Sequence, residues 1–451
     1  MAHPAPIQEL PRIALAAFGR PTFDLAEARV VLDRSHAALR DLPVRVAAVS
    51  GLLTDPAAAA AFARQCEADL LVCQFTTFVD ARFVAAVAEA TDVPLLLWAL
   101  REPVRPGERL ALNSLTGANL AAREMHGRSR FFRFVLGDPG EEAVGRRLVG
   151  LARAAAARRW LGDFRALVLG RAPDGFFFSE PGEGVGAAVG LQIERLDLDA
   201  LFAAARAVPD ADWRPIVAAV RERVSGLERL PAEQVERFAR LHAVVEREVA
   251  ARGACAVAVR CWPEFFTDLG AAACSFVSAL TERGVAASCE ADVLGALTMG
   301  LLQRLAGGPP YLGDLAAIDG PRNAAVFWHC GAGAFSLASP RTGAVAGVQP
   351  NRKIGFTLEF ALRPGRVTLA RLGESPAGLR LLIGAGEVLD APQPFLGTAA
   401  TVRFDGDQPV EPRVGRLLEA GWEPHYALVY GDVRAELADL AGMMGLSVFE
   451  V

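Results

Sequence analysis

The sequence predicts an α/β protein: two doubly wound parallel-sheet domains of Rossmann or flavodoxin type, followed by a β-rich, barrel-like C-terminal domain. Three observations carry this. Short apolar runs alternate with amphipathic segments from residue 12 to beyond residue 290, the pattern of parallel strands returned by helices. From about Arg322 the chain instead clusters β-formers between Gly/Pro turns, as closed or stacked β domains do. And 451 residues, 52% of them hydrophobic, exceed what one core uses.

The elements follow in order. RIALAAF from Arg12, VRVAAVS from Val44, ADLLVCQF from Ala68, PLLLWAL from Pro94 and FFRFVLG from Phe131 are five buried strands with helices between them. They make a first domain over 1–162. In such sheets ligands meet the loops at the strands' carboxyl ends, and here those ends carry Arg20, Gln74, Thr76, Thr77 and Arg101. For each of these residues taken singly, helix capping and loop hydrogen bonds are the commoner role. A second domain, 163–322, opens with RALVLGR. It continues through a long helix at Glu233–Ala251, the strand ACAVAVRC, a helix to Arg283, the strand VAASCEAD and a helix from Val293. GGPPYLGD breaks that pattern. The third domain, 323–451, holds AAVFWHC, KIGFTLEFAL, GRVTLARLG, LRLLIGAGEVL and TAATVRF, with a last strand and helix in HYALVYGDVRAELADLAGMMG.

Composition narrows the function. A net charge of −5, with both signs mixed along the helices, favours neither nucleic acid nor an anionic membrane as partner. No window approaches the roughly 20 apolar residues of a membrane span, and the N-terminus lacks the signature of a secretory signal. The seven cysteines show no CxxC spacing and read as reduced core thiols of a cytoplasmic protein. There is no P-loop, and the GxG fragments read as turns.

The stretch RCWPEFFTDLG, then CEADVLGALTMGLLQRLAGGPPYLGD, concentrates the candidates. Glu264 and Glu290 lie at or beyond the ends of apolar strands. A carboxylate so close to a buried strand is costly unless something positive compensates it. Asp292 reads as the N-cap of the next helix; in that role alone it would tolerate Asn. Asp314 follows the Gly/Pro break as a loop or strand-edge carboxylate. His329 in FWHCGAGAF and His425 in GWEPHYALVYGD border apolar strands, where a histidine serves either the core or a ligand. Glu, Asp and His together are the hard oxygen and nitrogen donors that suit manganese or magnesium rather than a thiolate zinc centre.

The order of a strand, CEADVLGALTMGLL, a Gly-rich break, LGD, and far downstream a histidine before a strand and a closing helix resembles the L-fucose isomerase side of the L-fucose/L-arabinose isomerase family. SLTGANLAAREM at Ser114 also looks familiar for this group. The resemblance implies a metal-dependent aldose–ketose isomerase that acts on a free, non-phosphorylated sugar through a cis-enediol(ate). It places Glu290, Asp314 and His425 as metal ligands, with Mn2+, or Mg2+ or Co2+ in its place. It makes Glu290 and Asp314 the acid/base groups, and it assigns a homo-oligomer, trimer or hexamer. Glu264, His329, Arg20 and Gln74 are then substrate contacts or orienting groups. Arg20, Arg101, Arg352 and Lys353 are cations that could meet an anionic group such as a sulfonate or carboxylate. Two other classes stay open: a sugar-binding or regulatory protein on the same scaffold, and an epimerase or lyase using the same enediolate chemistry.

Overall fold

A computed structural model describes residues 9–451. The chain forms two compact units. One comprises 9–160 with 435–445, the other 161–434 with 446–451.

The first unit is a five-stranded parallel sheet of β1 (Arg12–Phe18), β2 (Arg45–Leu53), β3 (Leu70–Phe75), β4 (Leu95–Ala99) and β5 (Phe132–Leu136), in the order β2-β1-β3-β4-β5. All five strands lie where the apolar runs predict them. β3 and β4 are buried along their whole length, which is why they read as unbroken apolar runs rather than alternating ones. The helix Arg434–Met444 contributes most of its length to this unit: Asp439 accepts from Arg133 Nε at 2.7 Å and from Arg147 at 2.6 Å.

In the second unit a four-stranded parallel sheet runs β10-β9-β6-β7. Its strands are β6 (Arg165–Leu169), β7 (Gln192–Leu196), β9 (Ala256–Val259) and β10 (Ala286–Ser288), with a two-residue β8 (Val224–Ser225) outside this sheet. β7 is half exposed, so its QIERL sequence gives no apolar run. The helix Val293–Ala306 is buried on nearly every face, as a helix hydrophobic all round must be.

The barrel then begins with β11 (Tyr311–Asp319), ahead of residue 323 where the strand-rich sequence was expected to start. β12 (Ala324–His329), β13 (Ala344–Val348), β14 (Phe356–Ala361), β15 (Gly365–Ser375), β16 (Gly378–Val388), β17 (Thr398–Phe404), β18 (His425–Tyr430) and β19 (Ser447–Glu450) complete it. Antiparallel pairing closes six of them into a ring, β11-β12-β17-β16-β15-β18 and back to β11. Within the ring these six strands have no free edge, while β14, β13 and β8 extend from β17 and β19 adds to β16. The α/β–α/β–barrel succession is the architecture the sequence predicts.

Candidate active site

The site is built where the turn after β10 meets two neighbouring barrel strands. β10 ends at Ser288, and the chain reverses within Cys289–Asp292 to start the buried helix. Glu290 and Ala291 both adopt left-handed backbone, φ +51° and +54°. Each such residue costs about 1–2 kcal/mol when it is not glycine. The turn is held by hydrogen bonds from Ala291 N–H to Val259 O (2.9 Å) and from Asp292 N–H to Cys289 O (3.0 Å). The strain aims the Glu290 carboxylate toward the barrel, and backbone strain of this kind clusters at functional sites.

On the barrel side, Asp314 of β11 is directly opposite His425 of β18. Cross-strand partners project from the same face, so His425 Nε2 comes to 3.4 Å from Asp314 Oδ1 and 3.4 Å from Glu290 Oε2. His329, the last residue of β12, brings its Nε2 to 3.5 Å from the same Glu290 oxygen. These separations are long for hydrogen bonds. Glu290 Oε2 and His329 Nε2 are buried and have no hydrogen-bond partner among the described residues.

Asp292 does more than cap. Its Oδ1 accepts from Gly295 N–H at 2.8 Å, as the N-cap reading requires. It also takes two bonds from Arg371 of β15, at 2.6 and 3.1 Å, and its Oδ2 lies 2.8 Å from His425 Nδ1. Asp292 and Arg371 are both fully buried. Expecting Asn to replace Asp292 at little cost is therefore corrected: the carboxylate neutralises a buried guanidinium and fixes the His425 ring. With Nδ1 on Asp292, the His425 Nε2 faces Glu290 and Asp314 and offers its lone pair once its proton is displaced. His329 is set the other way. Its Nδ1 accepts from the Cys330 N–H at 2.9 Å, which leaves the neutral ring's proton on Nε2.

Electrostatics follow from this arrangement. Burial raises the Glu290 carboxyl, but the two imidazoles facing it outweigh that and hold it well below the carboxylate range. Burial likewise works against Asp292, yet Arg371 and His425 bring it down to about 2. Burial lowers His425, and Asp292 with Glu290 more than reverses it, to about 9. The cluster draws positive charge toward itself. The ligand atoms of Glu290, His329 and His425 lie within 4.8 Å of one another. A second group, Cys261, Cys289 and Glu290, is equally compact, but the contact with Cys261, and then burial, drive the Cys289 thiol well above its ordinary value, away from the thiolate a soft metal needs. The unpartnered Glu290 oxygen and the facing His329 and His425 rings thus form a candidate metal-binding group, with Asp314 beside His425.

The other expected contacts do not join this cluster. Glu264 sits on the short helix after β9, held by Arg260 at 2.8 and 2.9 Å. Arg20 and Gln74 belong to the other compact unit. Gln74 is fully buried, its Nε2 donating to Ser35 Oγ at 2.7 Å. The exposed Arg20 donates its N–H to Thr77 Oγ1 at 2.8 Å and stacks its guanidinium over Phe78.

No protein-family model matches the chain. Curated relatives do. The chain is 44% identical over 385 residues to a sulfoquinovose isomerase of Alkalicoccus urumqiensis, covering 85% of this chain and 86% of the relative. It is 40% identical over 433 residues to one from Priestia aryabhattai (95% and 96%) and 37% identical over 442 residues to one from a Clostridium species, strain MSTE9 (96% and 98%). This chain belongs to the sulfoquinovose isomerase family. It is accordingly a sugar isomerase, of the aldose–ketose class its sequence implies.

Within this sulfoquinovose isomerase family member, two site features escape sequence reading. Arg371 lies in GRVTLARLG, where its arginine looks like any outward strand residue. Phe178 stands edge-on to the His425 ring at 5.3 Å, and Phe176 packs on Trp262. The FFFS run at Phe176–Ser179 is a sequence signal for neither.

Proposed function

We propose that the chain interconverts sulfoquinovose, a hexose with a sulfonate on C6, and the corresponding 2-ketose through a cis-enediolate, at a divalent-cation site of Glu290, Asp314 and His425. The observation that carries this is the facing set of Asp314, His425 Nε2 and the unpartnered Glu290 Oε2. Glu290, Asp314 and His425 would hold a Mn2+, or Mg2+ or Co2+ in its place, which would supply Lewis acidity to the reaction.

The residues do the rest. Glu290 and Asp314 are the acid/base pair: one carboxylate takes the proton from the carbon beside the carbonyl and returns it to the neighbouring carbon, while the other carries the hydroxyl proton from the C2 oxygen to the C1 oxygen. A buried carboxylate pointed at its target needs no solvent rearrangement for that transfer. His329 donates from Nε2 to a sugar oxygen, which orients C1 and C2. Asp292, fixed by Arg371, keeps the His425 ring in the ligand tautomer. Phe178 shields that ring from water.

Chain order and motif spacing support kinship with L-fucose/L-arabinose isomerases, and with it a trimeric or hexameric assembly, Arg20 as a further substrate contact, and a cytoplasmic location. No helix among the described residues is long and apolar enough to cross a membrane. A pure sugar-binding protein has no use for a converging carboxylate and histidine set. Incubation of sulfoquinovose with the manganese-loaded protein tests the reading by product: the 2-ketose is expected. A C2 epimer alone would make the chain an epimerase, and unchanged bound sugar a binding protein.

A further inference from the structure

A sulfonate is ionised wherever a protein is folded, so a site that encloses it must provide a cation or leave it in water. The active-site carboxylates make the demand sharper, because Glu290 and Asp314 repel a second anion. A cavity of about 220 Å³ opens from Glu290 and His329, past Cys261 and Trp262, to the loop that follows β13. Gln349, Asn351 and Arg352 line that part, and Arg352 is the one Lys or Arg among the residues lining the cavity.

The loop is a built structure. Gln349 is buried, and its Oε1 accepts the N–H groups of Asn351 (2.9 Å) and Arg352 (2.5 Å) while its carbonyl accepts that of Lys353 (2.9 Å). Gly355, at φ +84°, lies so close to the 272 backbone that a Cβ would stand 2.3 Å from Ala272 N. Both ends are therefore pinned, one by a side chain and one by a contact only glycine permits. Yet the side chain this loop presents to the cavity has no ion pair, hydrogen bond or ring contact among the described residues. The Arg352 side chain is exposed, so it reaches both the cavity and solvent. An exposed, unengaged guanidinium on a fixed loop that lines the cavity holding Glu290 is free to meet an oxyanion there.

We propose that Arg352 binds the sulfonate and sets the preference for a sulfonated sugar over a neutral one. Gln349 fixes the turn that presents it, and Asn351 offers an amide beside it. This inference rests on the sulfosugar reading above. Lys353, next in the chain, does not line the cavity and acts as the control for net charge.

The test is kcat/KM on sulfoquinovose and on its neutral counterpart, the 6-deoxyhexose quinovose, for the wild type, R352Q, R352K and K353N. Wild type should prefer the sulfonated sugar. R352Q should lose about 10–100-fold on it, chiefly through KM, as expected for one charge-assisted contact, while turnover of quinovose, which also reports correct folding, moves by less than about threefold. R352K should fall between, since an ammonium keeps the charge but not the fork, and K353N should retain the wild-type preference. A preference that survives R352Q overturns the assignment of Arg352 alone. A wild type with no preference overturns the sulfosugar reading and the assignment with it.

Discussion

Asp314 and His425 face each other across antiparallel strands of one barrel, and their side chains meet 3.4 Å apart at the Glu290 carboxylate. The pairing register alone puts a carboxylate and an imidazole from residues 111 positions apart onto one face. A one-residue slip of β18 would turn His425 into the opposite face.

Glu290→Gln and Asp314→Asn keep shape and remove charge. Each should lower affinity for Mn2+ and reduce isomerisation by about a thousandfold. Titration of the metal-free variants with Mn2+, alongside ketose assays, checks both effects. Loss of turnover with unchanged metal affinity would leave the carboxylate as acid/base group only.

The two histidines should separate. His425→Asn removes the Nε2 that faces Glu290, so bound metal should be lost. His329→Asn should leave metal content within about twofold and lower kcat/KM by about 10–100-fold, the effect of one lost substrate hydrogen bond. Elemental analysis of the two purified variants decides: depletion in His329→Asn would make His329 a ligand.

Asp292→Asn leaves the buried Arg371 with only the Glu423 carboxylate, 3.8 Å from its Nε. Breaking such a pair costs about 3–5 kcal/mol, so the melting temperature should fall by several degrees, and metal affinity should drop as His425 loses its anchor. A melting temperature equal to that of the wild type would return Asp292 to a plain helix cap.

How much of this was legible follows from what each residue's neighbours contribute. The five strands of the first sheet were readable because both faces are buried, which forces continuous apolar runs. Glu290 was readable because a carboxylate at the end of a buried strand has few other reasons to be there. His425 and Asp314 look ordinary alone, since their meaning lies in strand register, which the sequence does not display; the family resemblance singled them out. Arg371 and Phe178 carry no local signal at all. Gln74 reads as a substrate contact because it sits at a strand's carboxyl end, yet its side chain turns inward to Ser35.

Stability should fall with pH through an internal histidine far from the catalytic cluster in sequence. His242 is buried against Phe238, and burial, then Arg283, takes its imidazole down from 6.5 to about 4. The unfolded chain therefore binds more protons between pH 6.5 and 4. The contribution is intact above pH 6.5 and is lost as pH falls to 4, on the order of 3 kcal/mol at the lower limit. Urea midpoints at pH 7 and pH 5 should fall more for the wild type than for His242→Gln; equal falls would show that His242 is not buried neutral.

The central claim, proton transfer at a divalent-cation site, is tested most directly by sulfoquinovose turnover in D2O, followed by NMR, with chelator-treated protein before and after Mn2+ is restored. Deuterium should enter at C1 of the ketose only after Mn2+ is added, and Glu290→Gln should remain silent in both conditions. Full turnover by the metal-free wild type would contradict the account.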